Sequence, residues 1–255
     1  MSVTIKSQRE IEYMREAGRL LAIVHNELEK FVKPGVSTKD IDRLGEKIIR
    51  GFGCIPSFLN YQGYPASICV SVNEEIVHGI PSDNRILKDG DIVSLDAGLI
   101  YKGYHSDAAR THGVGNISDE AQRLIDVTRQ CFFDGIQQAK AGNHLNDICK
   151  AIGNCATKAG YGIVKELVGH GIGQELHEAP QIPNYCMNRR GIKLESCMTL
   201  AIEPMITAGG ADVKWLPDRW TVVTKDKSLA AHYENTVLIT DGQPEILTLL
   251  SEESR

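Results

Sequence analysis

Five residues able to bind metal stand in stretches whose other residues read as buried. They are Asp96 in DIVSLDAGLI, Asp107 in GYHSDAART, His170 in ELVGHGIGQELHEAP, Glu203 in TLAIEPMI and Glu234 in AHYENTVLIT. A carboxylate inside an apolar, strand-like run is costly unless it is paired, protonated or bound to a cation. For any one of these acids alone, a turn cap or a surface ion pair is the commoner explanation. Glu203 resists that reading, because Thr199 to Ile202 before it and Pro204 to Ile206 after it leave no solvated face at strand periodicity. Glu234, ahead of the run Asn235 to Ile239, is in the same position. Four carboxylates and one imidazole make the donor set of a dinuclear metal site. Oxygen-rich ligands with one nitrogen suit Mn, Fe(II) or Co, with Zn also compatible, and bridging carboxylates set such ions about 3.5–4 Å apart. On this reading Asp96 and Asp107 hold one ion, Asp107 and Glu234 bridge, and His170 and Glu203 complete the other. A pair of ions so held generates hydroxide near neutral pH.

Three histidines share a glycine-rich context. His170 and His177 are seven apart, but Gly169, Gly171 and Gly173 argue against a helix there and for an extended segment that lets a substrate approach. His78, in VHGIP, repeats the His-Gly-Ile surroundings of His170. Together these contexts point to catalytic imidazoles. His25, His105, His112, His144 and His232 lack such surroundings and read as surface or structural.

These residues need a scaffold. The chain has 255 residues, 42% hydrophobic and 24% charged, enough for one large globular domain with a sizeable core. A net charge of -5 argues against nucleic acid or an anionic membrane as the main partner. Seven cysteines without a CxxC pair encode neither a disulfide framework nor a zinc finger, so they read as reduced thiols of a cytoplasmic protein. There is no signal-peptide pattern and no apolar run long enough to span a membrane. No apolar stripe stands out as exposed, so a monomer is expected.

Apolar positions Ile11, Met14, Leu21, Val24, Leu28 and Phe31 recur with helical spacing behind a capping box of Ser7 and Glu10. A second helix starts at Ser37 and ends at Gly51 or Gly53. Strands follow over 67–73, 91–100 and 104–114, the last two joined as a hairpin around Tyr101-Lys102-Gly103. The order then restarts, with helices over 118–139 and from Leu145 to before Gly160, and strands near 198–205, 220–224 and 233–240. Lys33 and Lys140, Gly35 and Gly142, Asp40 and Asp147, Ile41 and Ile148, and Gly53 and Gly160 are each 107 positions apart, as are Asp96 and Glu203. The pattern predicts a single α+β catalytic domain over 1–255, built of two pseudo-symmetric halves at about 7–115 and 118–245, with sheets around a central site and helices outside. With the turn centred on Tyr101-Lys102, Asp96 and Asp107 face each other directly. Two bare carboxylates about 4 Å apart repel by roughly 4 kcal/mol at an effective dielectric near 20, so a cation or a shared proton must stabilise them.

NYQGYPASICVSVNEEIVHGIPS, GDIVSLDAGLIYKGYHSDAART, GHGIGQELHEAP, LAIEPMI and YENT together resemble, in order and spacing, the type I methionine aminopeptidases of the pita-bread fold. The likeness covers nearly the whole chain. It implies a dinuclear divalent-metal centre on Asp96, Asp107, His170, Glu203 and Glu234, with Glu203 as general base for the bridging hydroxide. It implies that His78 and His177 contact the peptide, and that Tyr61, Tyr64, Cys69, Leu176 and Trp220 form the pocket for the methionine side chain. The implied activity is removal of the initiator methionine from nascent proteins whose second residue is small, near the ribosome. Phe58 stands where relatives often carry a smaller residue, Leu176 where an aromatic is common, Asn235 in place of the usual His of YEHT, and Val77 where many have Cys. None of the four is an expected ligand. Chain length fits the short bacterial form, without the N-terminal domain of aminopeptidase P and prolidase, the type II insertion or a zinc-binding extension. Two rivals remain: an Xaa-Pro peptidase on the same scaffold, and a non-catalytic pita-bread protein that binds partners. Intact ligands at five buried positions speak against the second.

Overall fold

The computed structural model describes residues 3–250. Helix α1 runs from Gln8 to Phe31, and its capping box is formed: the Ser7 side chain accepts from Glu10 N–H while Glu10 reaches back to the Ser7 N–H. Ile11, Met14, Leu21, Val24 and Leu28 are all buried along one side, as their spacing requires. Helix α2, Thr38–Gly51, is capped by Ser37, and Gly45 brings it against the Ile68 side chain, where a Cβ would lie 2.5 Å away. Helices α3, Asp119–Ile136, and α4, Leu145–Ala159, repeat the arrangement, with Ser118 as the first cap and Gly160 closing the second in the left-handed region (φ 85).

The main sheet has nine strands, and every pairing in it is antiparallel. Its main path runs Ile55–Pro56, Ile92–Tyr101, Tyr104–Gly113, Glu234–Leu238, Thr199–Ile202, Gly169–Gly171, Glu178–Ile182. Ile68–Val72 also pairs with Ile92–Tyr101, and Glu245–Ile246 with Glu234–Leu238. Two three-stranded sheets flank it, one of Ala230–His232, Met205–Thr207 and Gly162–Ile163, the other of Val213–Trp215, Val222–Thr224 and Glu75–Val77. Helices α1 and α2 share a core with the 92–113 hairpin through Leu21, Val24, Ile41, Leu95 and Ala108. Helices α3 and α4 share another with the second set of strands through Phe132, Ile152, Leu200 and Ile202. No helix among the described residues is long and apolar enough to cross a membrane.

Three sequence expectations need correction. The hairpin turns at Lys102-Gly103, not Tyr101-Lys102. Both turn residues have positive φ (49 and 84), the geometry that matches the twist of antiparallel strands, and glycine takes the second position without strain. That shift moves Asp96 opposite Ala109 and Asp107 opposite Gly98, so the two acids are diagonal neighbours on one face rather than direct partners. The strand expected over 198–205 is broken into Thr199–Ile202 and Met205–Thr207. Pro204 has no N–H to give a ladder, and Glu203 lies in the break. Trp220 precedes its expected strand, sitting in a turn where its N–H donates to Asp218 Oδ1.

Candidate metal centre and substrate cavity

The sheet register assembles the acids. Ala109 pairs with Asp96 on one neighbouring strand and with Glu234 on the other, so Asp96, Ala109 and Glu234 form a row across three strands. Asp107, two residues from Ala109, shares that face. The methyl group of Ala109 leaves the space between the carboxylates open. From the other side, His170 pairs with Ala201, two residues before Glu203. His170 Nδ1 lies 2.9 Å from Gly171 O, which fixes the proton there and turns an unprotonated Nε2 toward the acids. That Nε2 is 3.6 Å from Glu203 Oε1 and 4.0 Å from Asp107 Oδ2. Ligand atoms of Asp107, His170 and Glu234 lie within 4.8 Å of one another, as do those of Glu203, His232 and Glu234.

Burial without partners sets the electrostatics. Asp96 Oδ1, Asp107 Oδ1 and Glu234 Oε1 are buried with no hydrogen-bond partner among the described residues. Burial, reinforced by the nearby Glu203, pushes the Asp96 carboxyl up to about 7. Burial likewise lifts Asp107, Glu203 and Glu234 well above the ordinary carboxylate range, with the neighbouring acids adding to the effect at Asp107 and Glu234. Burial lowers His170 to about 3 and His232 to about 4, so both imidazoles are neutral, lone-pair donors. Orphaned carboxylate oxygens facing neutral imidazoles are a donor set that divalent cations fit.

The acids floor a cavity of about 430 Å³, a size that takes one amino-acid side chain and adjoining backbone. Its apolar end is Phe58, Tyr61, Tyr64, Cys69, Leu176 and Trp220. Cys69 pairs directly with Asp96, which joins the apolar end to the acidic floor. Tyr64 and Trp220 meet edge to face with centroids 5.1 Å apart, and Tyr64 Oη donates to Gly79 O at 2.9 Å, which satisfies its buried hydroxyl. His78 lines the cavity from a left-handed backbone position (φ 59), with its ring edge-on to Trp220. Positive φ is uncommon for a residue with a Cβ, and here it directs the imidazole into the cavity wall. The His177 ring is tilted 52° to the His170 ring with centroids 4.2 Å apart, and its Nδ1 is 2.7 Å from Tyr61 Oη.

Every site residue expected from the sequence therefore lines this one cavity. Sequence reasoning missed Gln62 and Gln181, which also line it, and His232, which stands against Glu203 and Glu234. Of the surface and structural alternatives the sequence leaves for the group that includes His232, burial removes the first for His232. Its signal was the i, i+2 spacing to Glu234. Of the others in that group, His25 and His105 are buried and structural, hydrogen-bonded through Nε2 to Ala108 O and through Nδ1 to Ser57 Oγ.

Buried acids around a cation-ready centre, open to a one-residue cavity on a pita-bread α+β scaffold, define a metallopeptidase. The chain belongs to metallopeptidase family M24, whose family profile matches residues 12–241. It is 55% identical to the methionine aminopeptidase of Clostridium acetobutylicum over 97% of this chain and 99% of that one. It is 50% identical to methionine aminopeptidase 1 of Bacillus subtilis over 96% and 99%. The crystal structure of methionine aminopeptidase from Thermotoga maritima superposes with a TM-score of 0.96 at 42% identity, covering 98% of this chain and all of that one.

Proposed function

We propose that this chain removes the N-terminal methionine from proteins whose second residue is small. The observation that carries the reading is the junction of an apolar, aromatic-lined cavity end with a floor of buried acids. A methionine side chain seated against Tyr64, Cys69, Leu176 and Trp220 places its own peptide bond over the acids. An unbranched thioether suits such walls, since its sulfur contacts ring edges favourably.

Asp96, Asp107, His170, Glu203 and Glu234 would hold two divalent ions, drawn from Co, Mn, Fe(II) or Zn. Bound ions polarise a carbonyl and make water acidic enough to attack at neutral pH. The remaining work falls to the chain's own groups. Glu203, whose proton affinity is raised by burial, takes the proton of the attacking water on a carboxylate oxygen and passes it to the leaving amine. His78 and His177 bind the peptide next to the scissile bond and steady the carbonyl oxygen as it gains charge. Tyr61 holds the His177 ring through Nδ1. Phe58 and Leu176 close the apolar end and set the depth of the side-chain pocket.

The same reading makes nascent polypeptide N-termini near the ribosome the substrates and the cytoplasm the place of action, with the enzyme a monomer. It treats 1–255 as one catalytic domain of two related halves, which the sheet order supports by setting two antiparallel strand pairs side by side at its centre. The test is to load the protein with metal and offer Met-Ala-Ser and Xaa-Pro peptides with and without chelator. Chelator-sensitive release of methionine from the first alone is expected. Cleavage of the Xaa-Pro peptide instead would favour the prolidase-like alternative, and no release with any divalent metal would favour a non-catalytic binding protein.

A further inference from the structure

Glu203 lies between two imidazoles. On one side His170 Nε2 is 3.6 Å from Glu203 Oε1 and 4.0 Å from Asp107 Oδ2. On the other, His232 Nε2 is 3.5 Å from Glu203 Oε2 and 3.9 Å from Glu234 Oε2. The two rings approach their carboxylates in the same way, yet the expected ligand set includes only the first.

A separation of 3.5 Å is too long for a good N–H···O hydrogen bond and too short to admit a water between the atoms. It is the separation of two donors on one ion. With bonds of about 2.0–2.2 Å, ligand atoms between octahedral and tetrahedral angles stand about 3.0–3.6 Å apart. Both ring nitrogens of His232 are buried without a hydrogen-bond partner among the described residues, and the residue is 1% exposed. An imidazole buried with both nitrogens idle is costly unless something absent from the protein part engages it. Its backbone is held firmly: Thr111 Oγ1 accepts from His232 N–H and donates to His232 O, each at 2.9 Å. Strand pairing opposite Met205 sets it beside the break that carries Glu203.

We propose that His232 is a second imidazole donor at the metal centre, its Nε2 binding the ion that Glu203 and Glu234 hold. The proposal rests on the metallopeptidase reading above. It raises the nitrogen content of the centre from one donor to two, which favours Zn, Fe and Co over Mn.

Stripped wild-type protein is reloaded with Co(II) and examined by proton NMR, where each imidazole on a paramagnetic ion gives its own solvent-exchangeable, strongly shifted N–H resonance. Two such resonances are expected; one alone overturns the proposal. In parallel, Co(II) and Mn(II) binding by His232→Gln is measured by calorimetry, with folding of the stripped variant checked by circular dichroism. At least a tenfold loss of Co(II) affinity with a smaller loss for Mn(II) is expected. Glutamine keeps a polar side chain of similar size but offers no imidazole nitrogen, so unchanged affinity and an unchanged Co(II) visible spectrum would reduce His232 to a neighbour of the ligands and overturn the proposal. Should the variant not fold, the wild-type resonance count decides alone. Wild-type protein that binds no Co(II) and releases no methionine would bring down the metallopeptidase reading itself, and the proposal with it. Wild-type binding and turnover with a single resonance would bring down the proposal only.

Discussion

Glu203 combines two demands that conflict in water: it faces a cation site as a carboxylate and holds a proton more tightly than an ordinary glutamate. Glu203→Gln preserves shape and removes the proton carrier, so it should melt within a few degrees of wild type while turnover of Met-Ala-Ser falls about 10²–10⁴-fold. Near-wild-type kcat would remove Glu203 from the role of base. The pH behaviour also follows from burial. Above pH 5 the site imidazoles are already neutral, with His170 lowered to about 3 and His232 to about 4, whereas burial holds Asp96 protonated to about 7 and raises the neighbouring Asp107 as well. Metal uptake at pH 6 should therefore release protons from carboxyls, and release should fall as pH rises through about 7; calorimetry in buffers of different ionisation enthalpy measures it. For chelator-stripped protein the two groups of shifts oppose each other. The raised acids make the folded chain hold protons that the unfolded chain has lost, so they weaken the fold as pH rises past 4. The lowered imidazoles make the unfolded chain bind more protons below about 6.5, so they strengthen it as pH rises to that point. At the level of single residues, the five acids and bases in apolar runs were legible because burying a charge is expensive wherever it occurs. His232 was not, because its neighbours in sequence, Ala231 and Tyr233, are ordinary strand residues, and only folding brings it to Glu203.

The four helices were legible from caps and periodicity, both of which are local. The hairpin register was not, since a turn at Tyr101-Lys102 and one at Lys102-Gly103 satisfy the same apolar pattern and only the positive φ at both Lys102 and Gly103 distinguishes them. Strands of three residues, such as Val213–Trp215, are too short for alternation to register. Among these elements the loop carrying His78 is closely constrained. Gly79 donates its N–H to Ser71 Oγ and accepts from Val70 N–H and Tyr64 Oη, and a Cβ there would lie 2.3 Å from Val70 O. That oxygen belongs to a sheet strand and does not yield, so in Gly79→Ala the loop must move and His78 with it. Displacements near 1 Å cost about 10²-fold in rate. The variant should lose at least tenfold in kcat/KM for Met-Ala-Ser while its metal content, measured by atomic emission, stays at the wild-type level.

Contacts far apart in sequence close the molecule. Lys6 Nζ meets Glu178 Oε2 at 2.6 Å with side chains 4% and 11% exposed, and Lys6 N–H donates to Cys197 O, tying the N-terminal segment to the strand that follows His177. Arg15 forks onto Glu245, but both side chains are well exposed. Removing one partner of a buried pair leaves a charge uncompensated, so Lys6→Ala should cost about 3 kcal/mol in urea unfolding. Arg15→Ala should cost under about 1 kcal/mol. Equal costs would contradict this account of burial. A further closure is the join between the 92–113 hairpin and the strand Glu234–Leu238. Its register spans two residue pairs only, Glu234 with Ala109 and Asn235 with Ala108. Side chains extend it: Thr236 Oγ1 exchanges hydrogen bonds with the Asp107 backbone at 2.9 Å each, and Arg110 donates to Glu234 O, Asn235 Oδ1 and Thr248 O. Asp107 and Glu234 lie on opposite sides of that short join, so a cation held between them would fasten a ladder only two residue pairs long. Heating should therefore abolish turnover of Met-Ala-Ser at a lower temperature than it melts the helices followed by circular dichroism, and coincident loss of the two would contradict a weak join.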